Sequence, residues 1–159
     1  MVKYAFLDKG IYQLLTHKEN LSQLVYVCVD YKRMIVEKDE FEGGLRKLLN
    51  LGHTIAHGRE KISEYTISHG KAVVMGINVI LNASLKHGYI DKKVYTLLKQ
   101  VLELNTTNQL SPYNIESICD ACLQDKKRSG EDITLIMVYG IGDCRPVKVN
   151  VKDLKEYLS

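Results

Sequence analysis

The sequence predicts a mainly α fold with one small β-hairpin near the C-terminus, and three observations carry that reading. Apolar residues recur at helical spacing through most of the chain from Tyr4 to Asp125. Only two prolines interrupt it, Pro112 and Pro146. Beyond them the pattern changes: Ile133–Tyr139 is apolar and β-branched, Gly140–Asp143 reads as a turn, and Pro146–Val151 alternates.

The elements follow in order. Tyr4–Leu15 and Leu21–Glu37 read as the first two helices. Gly43-Gly44 breaks the chain before a third, Leu45–Lys61, which spaces Leu45, Leu48, Leu49, Gly52, Ile55 and Ala56 helically. A polar loop through Tyr65 and Thr66 leads to His69 and the helix Ala72–His87, with Gly88 as its C-terminal stop. Asp91 is placed to cap Lys92–Leu104, and Asn114 to cap Ile115–Asp125 after a loop containing Pro112. Asp153–Leu158 resumes a short helix after the hairpin.

The 159 residues suit one domain, 1–159, with enough chain to bury a core. Hydrophobic residues at 45% and charged residues at 26% exclude a disordered chain. Lys and Arg number 22 against 19 Asp and Glu, and this net +3 is spread too evenly to suggest nucleic acid. No apolar run reaches the roughly 18 residues of a membrane span. Ala72–Leu85 is interrupted by Asn78, Asn82 and Ser84. Cys28, Cys119, Cys122 and Cys144 are irregularly spaced, so reduced thiols in a cytoplasmic protein are expected. The single C-x-x-C at Cys119–Cys122 lacks the second pair of a zinc site and reads as helix packing.

Histidines carry the chemistry. His53 and His57 lie four apart, one turn on the same helical face, and His69 follows within the same short stretch. The string H-T-I-A-H lacks the glutamate that a zincin protease places after its first histidine, which disfavours that class. Arg46, Asn50, His53 and His57 fall at i, i+4, i+7 and i+11, a polar stripe along the third helix. A solvated surface face is the plain explanation, but such faces ordinarily mix Lys, Glu and Gln. A cation, an amide and two imidazoles instead suit an anionic, hydroxylated ligand beside a metal. Spacing leaves two arrangements open: three histidine ligands, or two ligands with the third serving substrate. His17 and His87 read as structural or exposed residues near helix ends. Asp125-Lys126-Lys127-Arg128 either complements a helix dipole or clamps an anion, and Lys32 alone reads as a surface lysine.

Together these strings resemble a known family. L-L-N-L-G-H-T-I-A-H-G (Leu48–Gly58) followed by S-H-G-K-A-V-V-M-G-I (Ser68–Ile77) is similar to the C-terminal half of 3-dehydroquinate synthases. The upstream E-x-G-x-R (Glu42–Arg46), the D-K-K of Asp125–Lys127 and the opening V-K-Y extend the likeness over essentially all the chain. The resemblance implies the helical C-terminal domain of a dehydroquinate-synthase-like fold. It also implies an NAD- and zinc-dependent lyase of the shikimate route, closing 3-deoxy-D-arabino-heptulosonate 7-phosphate to 3-dehydroquinate with release of phosphate.

Carried over by residue, the resemblance makes His53 and His69 metal ligands. His57 and Asn50 meet the substrate, chiefly its phosphate end, and Lys126 or Lys127 supplies a further anion contact. Arg46 and Lys32 hold its carboxylate and hydroxyl side, Lys3 its hydroxyls, and Glu42 orders the cluster. Three departures accompany it. The family's third ligand, a glutamate three residues before the match of Lys3, falls ahead of Met1. The NAD-binding half is likewise expected in a separate polypeptide or a missing N-terminal segment, so the chain alone is expected to be inactive, with that half or a homodimer partner completing it. Lys71 stands where an acidic residue is usual, and Ala56 and Gly58 exchange the small residues around the second histidine. Two other functions compete: a non-catalytic helical module for binding or assembly, and a sister sugar-phosphate cyclase making an inosose or a valiolone.

Overall fold

The computed structural model describes residues 1–17, 20–41, 43–104, 114–126 and 132–159, the side chains of 122–126 excepted. It is mainly helical with a C-terminal hairpin, as the sequence predicts. The helices are α1 (Val2–Leu7), α2 (Lys9–Thr16), α3 (Leu21–Lys38), α4 (His53–Ile62), α5 (His69–Lys86), α6 (Lys92–Leu104), α7 (Ile115–Lys126) and α8 (Leu154–Leu158). The strands are β1 (Asp132–Gly140) and β2 (Asp143–Asn150), and 3-10 turns cover Leu45–Asn50 and Val151–Asp153.

Helix α5 is the hub. It is apolar nearly all round, burying Ala72, Val73, Ile77, Val79, Ile80, Leu81 and Ala83, as expected of a helix enclosed by others. It packs against α4, α6, α8 and β1. The hairpin pairs antiparallel from Asp132↔Asn150 to Gly140↔Asp143, with an irregularity between Val138 and Gly140. Pro146 lies opposite Ile136 within β2, a position tolerated because both strands of a two-stranded ribbon are edges. The backbone N–H of Val138 donates to the buried Ser84 Oγ at 3.0 Å, so α5 covers one edge of the ribbon.

Predicted helix starts and stops hold at three places. Asp91 accepts from Val94 N at 2.7 Å and Asn114 from Glu116 N at 2.9 Å. Gly88 takes φ +70° just past the end of α5. Cys28, Cys119 and Cys144 are buried. The predicted loop around Pro112 lies outside the described residues.

Two predicted helices are broken. Tyr4–Leu15 divides at Asp8, which is extended (φ −145°, ψ 128°) and caps α2 by accepting from Ile11 N at 2.9 Å. Leu45–Lys61 divides more sharply: the 3-10 turn ends at Asn50, Gly52 takes φ +75°, and α4 starts at His53. The stripe from Arg46 to His57 is therefore not one face of one helix. Its apolar spacing continues through the break because Leu51 is still buried, at 0% exposure. Helix α5 begins at His69, three residues before the apolar run that opens at Ala72.

Candidate functional site

The site is built on a backbone crossing. A Cβ on Gly76 would stand 2.1 Å from the Gly52 carbonyl oxygen, and one on Gly52 would stand 2.8 Å from the Ile77 backbone N. Only hydrogen fits at either position. This contact brings the start of α4 against α5, so that His53, one residue after Gly52, faces His69 in the first turn of α5.

Three imidazoles gather there. Ring centroids of His53 and His69 are 5.3 Å apart, and His57 lies 6.2 Å from each. Hydrogen bonds decide which nitrogens are available. His53 Nδ1 is 3.1 Å from the Leu51 carbonyl, which can only accept, so Nδ1 carries the proton and Nε2 keeps its lone pair. His69 Nδ1 is 3.0 Å from Glu60 Oε1 and donates to that carboxylate, so Nε2 is the nitrogen left outside this pair. Burial first, then the charges of Lys3, His69 and His57, hold His53 below its ordinary value of 6.5, against an upward pull from the Leu51 carbonyl. A neutral imidazole is the form that ligates metal.

Lys3 reaches the same place from α1. Its Nζ donates to the Leu49 carbonyl at 2.9 Å, and burial, then the charge of Lys32 on α3, lowers its pKa. Helices α1 and α3 are fixed to one another by Tyr31 Oη donating to the Leu7 carbonyl at 3.0 Å and by edge contact between the rings of Tyr4 and Tyr31. The structure thus brings His53, His57 and His69 together, with Lys3 beside His53 and Lys32 beside Lys3.

Arg46 stands apart from the imidazole stripe, in the 3-10 turn. Its Nη1 donates to the Glu40 carbonyl at 2.8 Å. Asp39, at the end of α3, grips this turn: its carboxylate accepts from the backbone N of Gly43, Gly44 and Arg46, each at 2.8 Å. Those bonds, that from Arg46 foremost, hold the Asp39 carboxyl below its usual range. Asn50 ends the same turn and is exposed. Glu42, Lys127 and the side chain of Lys126 lie outside the described residues.

Sequence reasoning missed Glu60 and Asp39. A signal for Glu60 was present, since positions 53, 57 and 60 continue one helical face. Its pairing with His69 closes only across the loop between α4 and α5. No three His, Cys, Asp or Glu side chains among the described residues are set to hold a metal ion together. The donor set suits a site with two histidine nitrogens and further ligands from outside it. His17 and His87 end α2 and α5 and bond the carbonyls of Gln13 and Tyr157.

Comparison with known proteins adds to this geometry. The family model described as 3-dehydroquinate synthase C-terminal matches residues 1–128. A 3-dehydroquinate synthase of Thermococcus kodakarensis is 39% identical over 160 aligned positions, covering 99% of this chain and 46% of that protein. One from Alkaliphilus metalliredigens is 29% identical, covering 98% and 44%. The chain thus spans about half the length of the curated relatives it matches. Among solved structures, 2-epi-5-epi-valiolone synthase from Streptomyces hygroscopicus, with NAD+ and Zn2+ bound, superposes with a TM-score of 0.75 at 17% identity, covering 99% of this chain and 48% of that one. A 2-deoxy-scyllo-inosose synthase complexed with carbaglucose-6-phosphate, NAD+ and Co2+ gives 0.73 at 19%, covering 87% and 40%.

Proposed function

Because the chain belongs to the 3-dehydroquinate synthase family, through its C-terminal domain, we propose that residues 1–159 form the metal- and substrate-binding domain of such an enzyme. Joined to an NAD-binding half, it closes 3-deoxy-D-arabino-heptulosonate 7-phosphate to 3-dehydroquinate and releases phosphate, in the cytoplasm. The observation that carries this reading is the meeting of His53, His57 and His69, with Nδ1 of both His53 and His69 tied off by acceptors.

When bound, a divalent metal supplies Lewis-acid polarisation of a substrate oxygen, and NAD supplies a transient hydride acceptor. The chain's own residues do the rest. His53 and His69 offer Nε2 to the metal. His57, on the exposed side of α4, and Asn50 serve the phosphate end with Lys126 or Lys127. Arg46 and Lys32 hold the carboxylate and hydroxyl side as fixed cations. Lys3, held near the imidazoles by the Leu49 carbonyl, orients substrate hydroxyls, and Glu42 orders the cluster. An arginine suited to a carboxylate favours the dehydroquinate reaction over an inosose- or valiolone-forming one. The higher identity to curated 3-dehydroquinate synthases, 29–39% against 17–19% for the solved cyclases, points the same way.

The test is reconstitution. The chain is mixed with NAD, Zn2+ and the separately expressed N-terminal half of the Thermococcus kodakarensis relative, and phosphate release from the heptulosonate phosphate is followed. Release that requires both polypeptides and is abolished by His53→Ala supports the proposal. Absence of release from a mixture that forms a stable complex and binds NAD refutes it.

A further inference from the structure

We infer that Glu60 is a positioning residue for His69, fixing its tautomer and ring rotation so that Nε2 and not Nδ1 meets the metal; this rests on the metal-binding reading above. Glu60 is on α4 whereas His69 opens α5, so the pair spans the loop between two helices. The Glu60 side chain is 13% exposed while that of His69 is 55% exposed. A carboxylate so enclosed needs a partner, and here it has the imidazole N–H at 3.0 Å. The backbone that carries Glu60 is tied to the start of the loop. The Glu60 carbonyl accepts the Tyr65 backbone N–H at 2.8 Å and the Ser63 hydroxyl at 3.0 Å.

The loop that delivers His69 is strained. Glu64 and Tyr65 sit consecutively at φ 50° and 60°, a left-handed region that non-glycine residues rarely enter. His69 itself is 55% exposed, so packing leaves its ring free to turn unless a hydrogen bond stops it. Glu60 does so from a rigid helix, and its negative charge also makes Nε2 more basic toward a cation. His53 is oriented in the same sense by the Leu51 carbonyl. The two candidate ligands are thus presented alike, one by backbone and one by side chain.

The experiment is long-range 1H–15N NMR on the metal-free 159-residue chain, with Co2+ titration of the same samples. His69 is assigned by its disappearance in His69→Ala. The expected result is a proton on Nδ1 of His69 in the wild type and a shift to Nε2–H in Glu60→Ala, with His53 unchanged as internal reference. Co2+ affinity falls about 10–100-fold in Glu60→Ala. Glu60→Gln has the same shape and keeps the fold should the alanine variant not; it lowers the affinity severalfold through loss of charge alone. A wild-type His69 protonated on Nε2 overturns the inference, as does a Glu60→Ala chain with unchanged tautomer and unchanged Co2+ affinity. If the wild type binds no Co2+, the metal reading falls and the tautomer measurement alone still decides the role of Glu60.

Discussion

Gly76→Ala tests the crossing on which the site is built. The added Cβ would lie 2.1 Å from the Gly52 carbonyl oxygen and 3.0 Å from its carbon, whereas ordinary contact begins near 3.4 Å. The shortfall against the oxygen is 3.4 − 2.1 = 1.3 Å, and it is against backbone, which has no rotamer to give. Gly52 cannot turn away, because its φ of +75° is already the conformation that ends the 3-10 turn and starts α4. Overpacking in a close-packed interior costs about 1–3 kcal/mol, and a backbone clash of this depth belongs at the upper end. For a chain of this length about 3 kcal/mol corresponds to a Tm lower by roughly 6–12 °C. Moving α4 by an ångström also separates His53 from His69, so Co2+ affinity falls together with stability. Thermal and urea unfolding followed by circular dichroism measure the first effect, and Co2+ titration measures the second. A Gly76→Ala chain melting within about 2 °C of wild type with undiminished Co2+ binding would refute the geometry.

Three further outcomes are expected. Ser84→Ala leaves the buried Val138 N–H without its acceptor and costs about 1–3 kcal/mol in urea unfolding; a loss under about 0.5 kcal/mol contradicts that assignment. Because the folded pKa of His53 is lowered from 6.5, the unfolded state binds more protons just below that pH, and stability from neutral His53 is full above 6.5 and lost as pH falls through the lowered value. His53→Gln should therefore lose stability less steeply on acidification than wild type, and parallel curves would remove the effect. Cys28, Cys119 and Cys144 are buried with raised thiol pKa values, that of Cys144 pushed up to about 12. In a Cys122→Ser background none of the three should react with a disulfide reagent at neutral pH before unfolding, and rapid labelling of any would show its burial to be wrong.

Local chemistry made much of the fold legible. The caps at Asp91 and Asn114, the stop at Gly88 and the change of period at Ile133 each depend on a few neighbouring residues, and each is found where the sequence puts it. What sequence reading missed depends on distant partners. The break at Gly52 is set by its contact with Gly76, while the apolar spacing of Leu45–Lys61 continues through it undisturbed. Asp8 is the local exception: by pattern it could sit within one long helix, but it caps a second through Ile11, three residues on. In the site, the four-residue step from His53 to His57 was readable because one helix carries both. Glu60 escaped notice because its partner, His69, is reached only through a loop with two left-handed residues. The family likeness named His53 and His69 as ligands but carried no information on how either ring is held.

The central claim is that His53 and His69 hold a divalent metal while His57 serves substrate. Native mass spectrometry with metal analysis, on the 159-residue chain at saturating Zn2+, tests it most directly. The account predicts one Zn2+ per wild-type chain, none in His53→Ala or His69→Ala, and one still in His57→Ala. Zinc retained in both of the first two variants, or lost from the third alone, would contradict it.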